Sequence, residues 1–231
     1  LDDWERVERR LGTLGPGALA TSSLQVVQDT AGALVAAAHQ LGVRADVARS
    51  VPIDVTLGDG TRVVGVVQDR LAGRPGAARL TYSSDRPGYR LGAWLDLVAL
   101  VAHEPSLPWR SVSVAKHPTK PEAVAVQLES AAPAEAGAAA RRAIALGGLE
   151  AAVDCYRRGS VEPIPLFPSV SHALWAGGNP AADWIRYQGG GDGASEFTRL
   201  VFGDRSLSEL LHLPRRDDDP LTRSGAGADR L

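Results

Sequence analysis

The chain has 231 residues, 44% of them hydrophobic and 23% charged, with a formal net charge of −2. That length is enough to bury a core without disulfides or metals, and the near-neutral balance excludes the global basic field of a free-standing DNA-binding domain. No apolar run reaches the roughly 18 residues of a membrane span and no leader pattern is visible, so the expectation is a cytoplasmic protein with no membrane partner.

Methionine is absent, which reads as a fragment cut from something longer. The single cysteine, Cys155, suits a reducing compartment and falls in a helical pattern as a small packed hydrophobe. The only lysines are Lys116 and Lys120.

Asp2 or Asp3 caps an opening helix in which Trp4, Val7 and Leu11 recur at helical spacing, and Leu14-Gly15-Pro16-Gly17 turns the chain. A second helix runs from Leu24 to Leu41 with a stripe through Val27, Leu34 and Ala38. His39 lies near its end, where an imidazole complements the dipole. The period then falls to two. Val51, Ile53, Val55 and Leu57 form a strand, Gly58-Asp59-Gly60 a hairpin turn, Thr61 to Val67 the return strand and Arg79 to Ser83 a third. A helix follows over residues 89–104 with Leu91, Trp94, Leu95, Val98 and Val101 on one face. Arg110 to Lys116 and Ala123 to Leu128 alternate around a proline turn. An alanine-rich helix spans Ala134 to Arg158 with an interruption at Gly147-Gly148. The prolines of Glu162 to Pro168 hold an extended segment ahead of short helices. The expected fold is α+β (mixed α/β), a small mixed sheet flanked by helices over 1–212. The charged, glycine-rich residues 213–231 form a flexible tail in which Asp217, Asp218 and Asp219 are a solvated run.

Several chemistries lack their residues. There is no phosphate-binding Gly-x4-Gly-Lys-Ser/Thr loop, no Gly-x-Ser-x-Gly elbow, no His-Glu-x-x-His and no cysteine cluster. Gly15-Pro16-Gly17 follows a helix and not a strand, so it is no dinucleotide loop.

Thr61 to Ser84 resembles the core of PD-(D/E)xK nucleases, in which an Asp ends one strand and an Asp/Glu-x-Lys group lies on the next. Here Gln68 stands at the first position, and Thr81 and Ser83 stand for the acid and the lysine. Glutamine is a poor Mg²⁺ ligand, and the hydroxyls bring neither charge nor base. No catalytic residue and no metal are therefore expected here. Asp69 is one residue late, which points it to the other face of the strand. A displaced metal site using Asp69, Asp54 or Glu104 is one alternative, and a pure protein–protein module is another.

Four further stretches carry a broader resemblance: Leu14 to Gly17, Gly65-Val66-Val67, Leu91 to Leu100, and Leu149 to Pro168 with its Tyr-x-x-Gly-x-x-x-Pro spacing. Their order is similar to that of the C-terminal domain of the exodeoxyribonuclease V gamma subunit, the RecC family. The resemblance implies a PD-(D/E)xK restriction-endonuclease-like core without nuclease chemistry. It implies duplex splitting, strand channelling and subunit assembly in double-strand break repair by homologous recombination. Double-stranded ends and forked DNA would be the substrates, and RecB-like and RecD-like subunits the partners that use ATP and Mg²⁺. Trp109, Arg110, Lys116, His117 and Lys120 are candidates for DNA contact by stacking and phosphate pairing. Ile164, Leu166, Phe167 and Trp175 are candidates for a subunit interface.

Overall fold

The computed structural model describes residues 2–13, 18–44, 46–117, 119–120, 122–130, 132, 135–185 and 191–212. The expected turn at 14–17 and the expected tail at 213–231 lie outside them. Two helices, α1 (Asp2–Leu11) and α2 (Ala18–Gln40), lead into β1 (Arg49–Thr56), β2 (Arg62–Asp69) and β3 (Gly76–Ser84). Helix α3 (Pro87–His103) crosses to β4 (Arg110–Lys116) and β5 (Ala123–Glu129). Helices α4 (Ala138–Gly159), α5 (Pro168–Trp175), α6 (Pro180–Ile185), α7 (Glu196–Phe202) and α8 (Leu207–Leu211) complete the chain. The element order is the one the periodicity predicts.

The five strands lie in sequence order in one mixed sheet. β1–β2, β2–β3 and β4–β5 are antiparallel, and β3–β4 is parallel through the α3 crossover. Odd-numbered residues of β1 face one side and join Leu97, Leu100, Trp109, Ala145 and Leu149 in the largest core cluster, under α3 and α4. Leu34 and Ala38 of α2 cover the other side against Val43, Leu71, Val112 and Val114. The strands are thus sandwiched between helix layers.

Ser111 and Ser113 of β4 are buried although polar. Two sequence expectations need correction. Helix α4 runs unbroken through Gly147 and Gly148. Gly148 is required by contact, not by a break: a Cβ there would sit 3.2 Å from the Trp94 ring and 3.5 Å from Val98. The α1 stripe is not a core stripe, since Val7 and Leu11 are at least half exposed.

The β1–β2 hairpin is held at both ends. At its tip Gly60 takes φ +84, and Leu57 N donates to Thr61 O at 2.8 Å. Glu150 of α4 accepts from Gly58 N at 3.1 Å, and Arg157 pairs with Asp59 at 2.7 Å and also bonds the Thr61 hydroxyl. At its base Asp69 ties β2 to the start of β3, as described next.

Candidate functional site

Gln68 and Asp69 end β2. Gln68 Nε2 donates to Ser50 Oγ across the hairpin at 2.9 Å. Asp69 Oδ1 accepts from Gly76 N at 2.9 Å, closing the turn into β3, and Oδ2 faces Arg49 at 3.5 Å. The carboxylate that ends β2 is thus committed to the turn amide and to Arg49. Thr81 and Ser83 lie farther along β3 beside Tyr89. Their hydroxyls bond the Tyr89 phenol, Ser83 contributing most, and lower its pKa from the ordinary value. The β2–β3 register pairs Asp69 with Ala77, so Thr81 lies about 13 Å further along the strand. The three degenerate positions do not converge.

The displaced acids do not converge either. Asp54 is held by Arg62, whose Nε donates at 2.7 Å, and that bond keeps the carboxyl below its usual range. Asp54 pairs in register with Val64 and Asp69 with Arg49, a separation of about 17 Å along the hairpin. Glu104 follows the end of α3, where its backbone carbonyl accepts from Trp109 Nε1 at 2.8 Å. Among the described residues no three His, Cys, Asp or Glu side chains form a metal-holding group. The uncharged Gln68, Thr81 and Ser83 and the dispersed Asp54, Asp69 and Glu104 do not fit a Mg²⁺ site.

The DNA-contact candidates separate. Trp109 is 1% exposed, its indole N–H engaged, so it is a core residue and cannot stack on a base. Arg110 reaches back to Leu41 O at 3.1 Å and to Gln127 at 3.2 Å, which ties α2 to β4–β5. Both lie at one end of β4. Lys116, His117 and Lys120 lie at the other, about 20 Å away. There Lys116 Nζ sits 5.4 Å from the Tyr82 ring centroid. His117 Nδ1 accepts from the amides of Thr119 and Lys120, both at 3.2 Å. Burial makes Trp109 structural because an apolar ring with its one polar atom satisfied gains most inside.

The interface candidates also divide. Phe167 is buried in a separate small core with Val170, Leu207 and Leu210, its ring edge-on to Trp184 at 5.0 Å and Phe202 at 5.6 Å. Ile164 packs on Gly159. Leu166 and Trp175 stay largely exposed, as do Tyr156, Val161, Ile185, Phe197 and Leu200. Arg90 joins this region to the sheet, pairing with Asp85 and meeting His172 Nε2 at 3.1 Å.

Sequence reading missed a cleft of about 560 Å³ where α2 meets β3. His39, Arg44, Arg70 and Arg79 line it with Val35 and Leu80, and no acidic residue does. Arg44 is paired with Asp46 and Arg79 with Asp96, the latter at 2.6 Å. Arg70 and His39 have no side-chain partner among the described residues. The signal was present in Leu80 and Tyr82, whose alternation marks a strand. Alternation alone does not say which face lacks a cover.

The RecC C-terminal domain family matches residues 1–178. The chain is 33% identical over 245 aligned residues to the RecBCD enzyme subunit RecC of Mycobacterium tuberculosis, an alignment covering 100% of this chain and 21% of that protein. It is 29% identical over 179 residues to the RecBCD enzyme subunit RecC of Mycolicibacterium smegmatis, covering 74% of this chain and 14% of that protein. The chain therefore spans about a fifth or less of the length of the curated relatives it matches. It belongs to the RecC C-terminal domain family.

Proposed function

From that membership, we propose that this chain is a noncatalytic DNA-handling and scaffold domain of a RecC-type gamma subunit. It acts in the bacterial cytoplasm within an exodeoxyribonuclease V helicase–nuclease, in double-strand break repair by homologous recombination. The observation that carries this reading is the fate of the acids. Gln68, Thr81 and Ser83 hold no charge, and the neighbouring Asp69 is spent on the Gly76 amide. The antiparallel β1–β2–β3 run with β4 added in parallel by a helical crossover supports a PD-(D/E)xK-like core that has kept its framework. The domain uses no cofactor of its own. ATP and Mg²⁺ belong to RecB-like and RecD-like partners, and duplex ends and forks are the DNA.

The exposed apolar residues from Tyr156 to Leu200 favour a second reading, in which subunit assembly is the whole role. One assay separates the two: purified chain on forked DNA, with Mg²⁺ or Mn²⁺, at low and moderate salt. The first reading expects salt-dependent fork binding without cleavage. Cleavage abolished by Asp69→Ala would overturn both, and absence of binding would leave assembly alone.

A further inference from the structure

The sheet is incomplete between its second and third strands. β1 and β2 pair along their whole length, whereas β2 and β3 share one register pair, Asp69 with Ala77. Beyond it the two strands part. Hydrogen bonds in an antiparallel ladder alternate inward and outward along each strand. The bond from Leu57 N to Thr61 O fixes that phase in the hairpin: odd-numbered β2 residues turn toward β1. The backbone N–H and C=O groups of Val64 and Val66 therefore point into the gap. The bond from Arg70 N to Gly76 O sets the same phase on β3, where the even-numbered residues Ala78 and Leu80 turn toward β2, up to the register shift that begins after Leu80. Among the described residues, two facing edges are left with unpaired ladder groups, the condition in which a sheet accepts another strand.

The side chains agree. Val64 and Val66 are each 63% exposed, on the face that carries α2. Leu80 lies on that same face across the gap with Val35 of α2 beside it, and both Leu80 and Tyr82 are nearly half exposed. A strand between β2 and β3 would bring its own alternate side chains onto this apolar floor. At the closed end of the gap, just past the Asp69–Ala77 pair, stand Arg70 and His39, with no acidic residue among the described cleft lining. We infer that the gap between β2 and β3 is a docking slot for an extended peptide strand with apolar residues at alternate positions and a carboxylate at the end that meets Arg70 and His39.

A single nucleic-acid strand is the competing occupant. It requires cations spaced along its path. The slot has them only at its ends, Arg70 at the closed one and Lys116 over Tyr82 at the open one, while Val64, Val66 and Leu80 wall its middle.

The test uses the 231-residue chain and an eight-residue probe peptide of alternating threonine and valine ending in two aspartates. Amide hydrogen exchange is followed with and without saturating peptide. Exchange at Val64, Val66 and Leu80 is expected to slow at least tenfold, with β5 unchanged. Arg70→Glu should weaken binding about tenfold. Val66→Pro should abolish it. That variant removes only an amide pointing into the gap, opposite Pro52, and thermal melting checks that the fold survives it. No protection at millimolar peptide, or Val66→Pro binding as tightly as the parent, overturns the slot. Protection of the same amides by a single-stranded oligonucleotide but not by the peptide also overturns it, in favour of nucleic acid.

Discussion

β4 and β2 are strands of similar length in one sheet, and they live under opposite conditions. β4 has a neighbour on each side and a helix on each face, and its five central residues are all buried. β2 is paired along one edge, is covered on one face, and buries Val67 alone. The difference teaches where stability and function divide. A strand sealed on four sides contributes to the fold and can do little else. A strand left open on two sides keeps hydrogen-bonding groups and apolar surface for something outside the fold.

The widest expected contrast is in hydrogen exchange. Amides of Val112 to Ala115 should exchange only through global unfolding, of order 5–15 kcal/mol. Those of Val64 and Val66 should exchange at close to open-chain rates. Equal protection in the isolated chain would erase the distinction. Next is Trp109→Ala, expected to cost about 3–5 kcal/mol in denaturant melts. Val66→Ala on the open face should stay within about 0.5 kcal/mol. Were Trp109 a DNA-stacking residue, its loss would weaken DNA binding and leave the melt unchanged.

Two glycines one residue apart sharpen the picture on the helix side. Gly148→Val drives a branched side chain into Trp94 and should cost about 1–3 kcal/mol. Gly147→Ala meets nothing within 4 Å and should stabilise by up to about 1 kcal/mol. Asp69→Ala should cost about 1–2 kcal/mol by stranding the Gly76 amide. Mg²⁺ should leave the melting temperature of both parent and variant unchanged. A Mg²⁺-induced rise lost in the variant would restore the metal reading.

The smallest effect is the pH response of the hairpin tip. Hydrogen bonds from Arg157, then those with Thr61, hold Asp59 far below its usual carboxylate value. A depressed folded-state pKa gives stability that is present above the unfolded value, near 3.9, and lost as pH falls through the folded one. The pair is half exposed, so the gain is small. Asp59→Asn should lag the parent slightly at pH 7, by a margin that starts to shrink below about pH 4 and closes only as pH falls through the depressed folded value.

The succession of helices and strands was legible because periods of 3.6 and 2 are local properties, and even Arg110–Lys116 was bounded correctly from alternation. The absence of acids at Gln68, Thr81 and Ser83 was legible for the same reason. What was not legible depended on neighbours. That Ser111 and Ser113 are buried polar residues does not show in the alternation of β4. Gly147-Gly148 looks like a break until Trp94 arrives beside it. Trp109 and Lys116 look like one cluster until the strand between them is drawn out. The gap beside β2 is a missing pairing, and no window of residues encodes a missing partner.

The hairpin's two anchorages have a mechanical consequence. With its tip fastened to α4 through Glu150 and Arg157 and its base to β3 through Asp69, β2 is strung like a bowstring and cannot swing as a flap. Any widening between β2 and β3 must come from flexing the span of Val63 to Val67. Exposed Gly65 sits at its centre with open space around it. Load placed on that span would pass directly into α4 and, through the seat of Gly148 on Trp94, into the helix that crosses from β3 to β4.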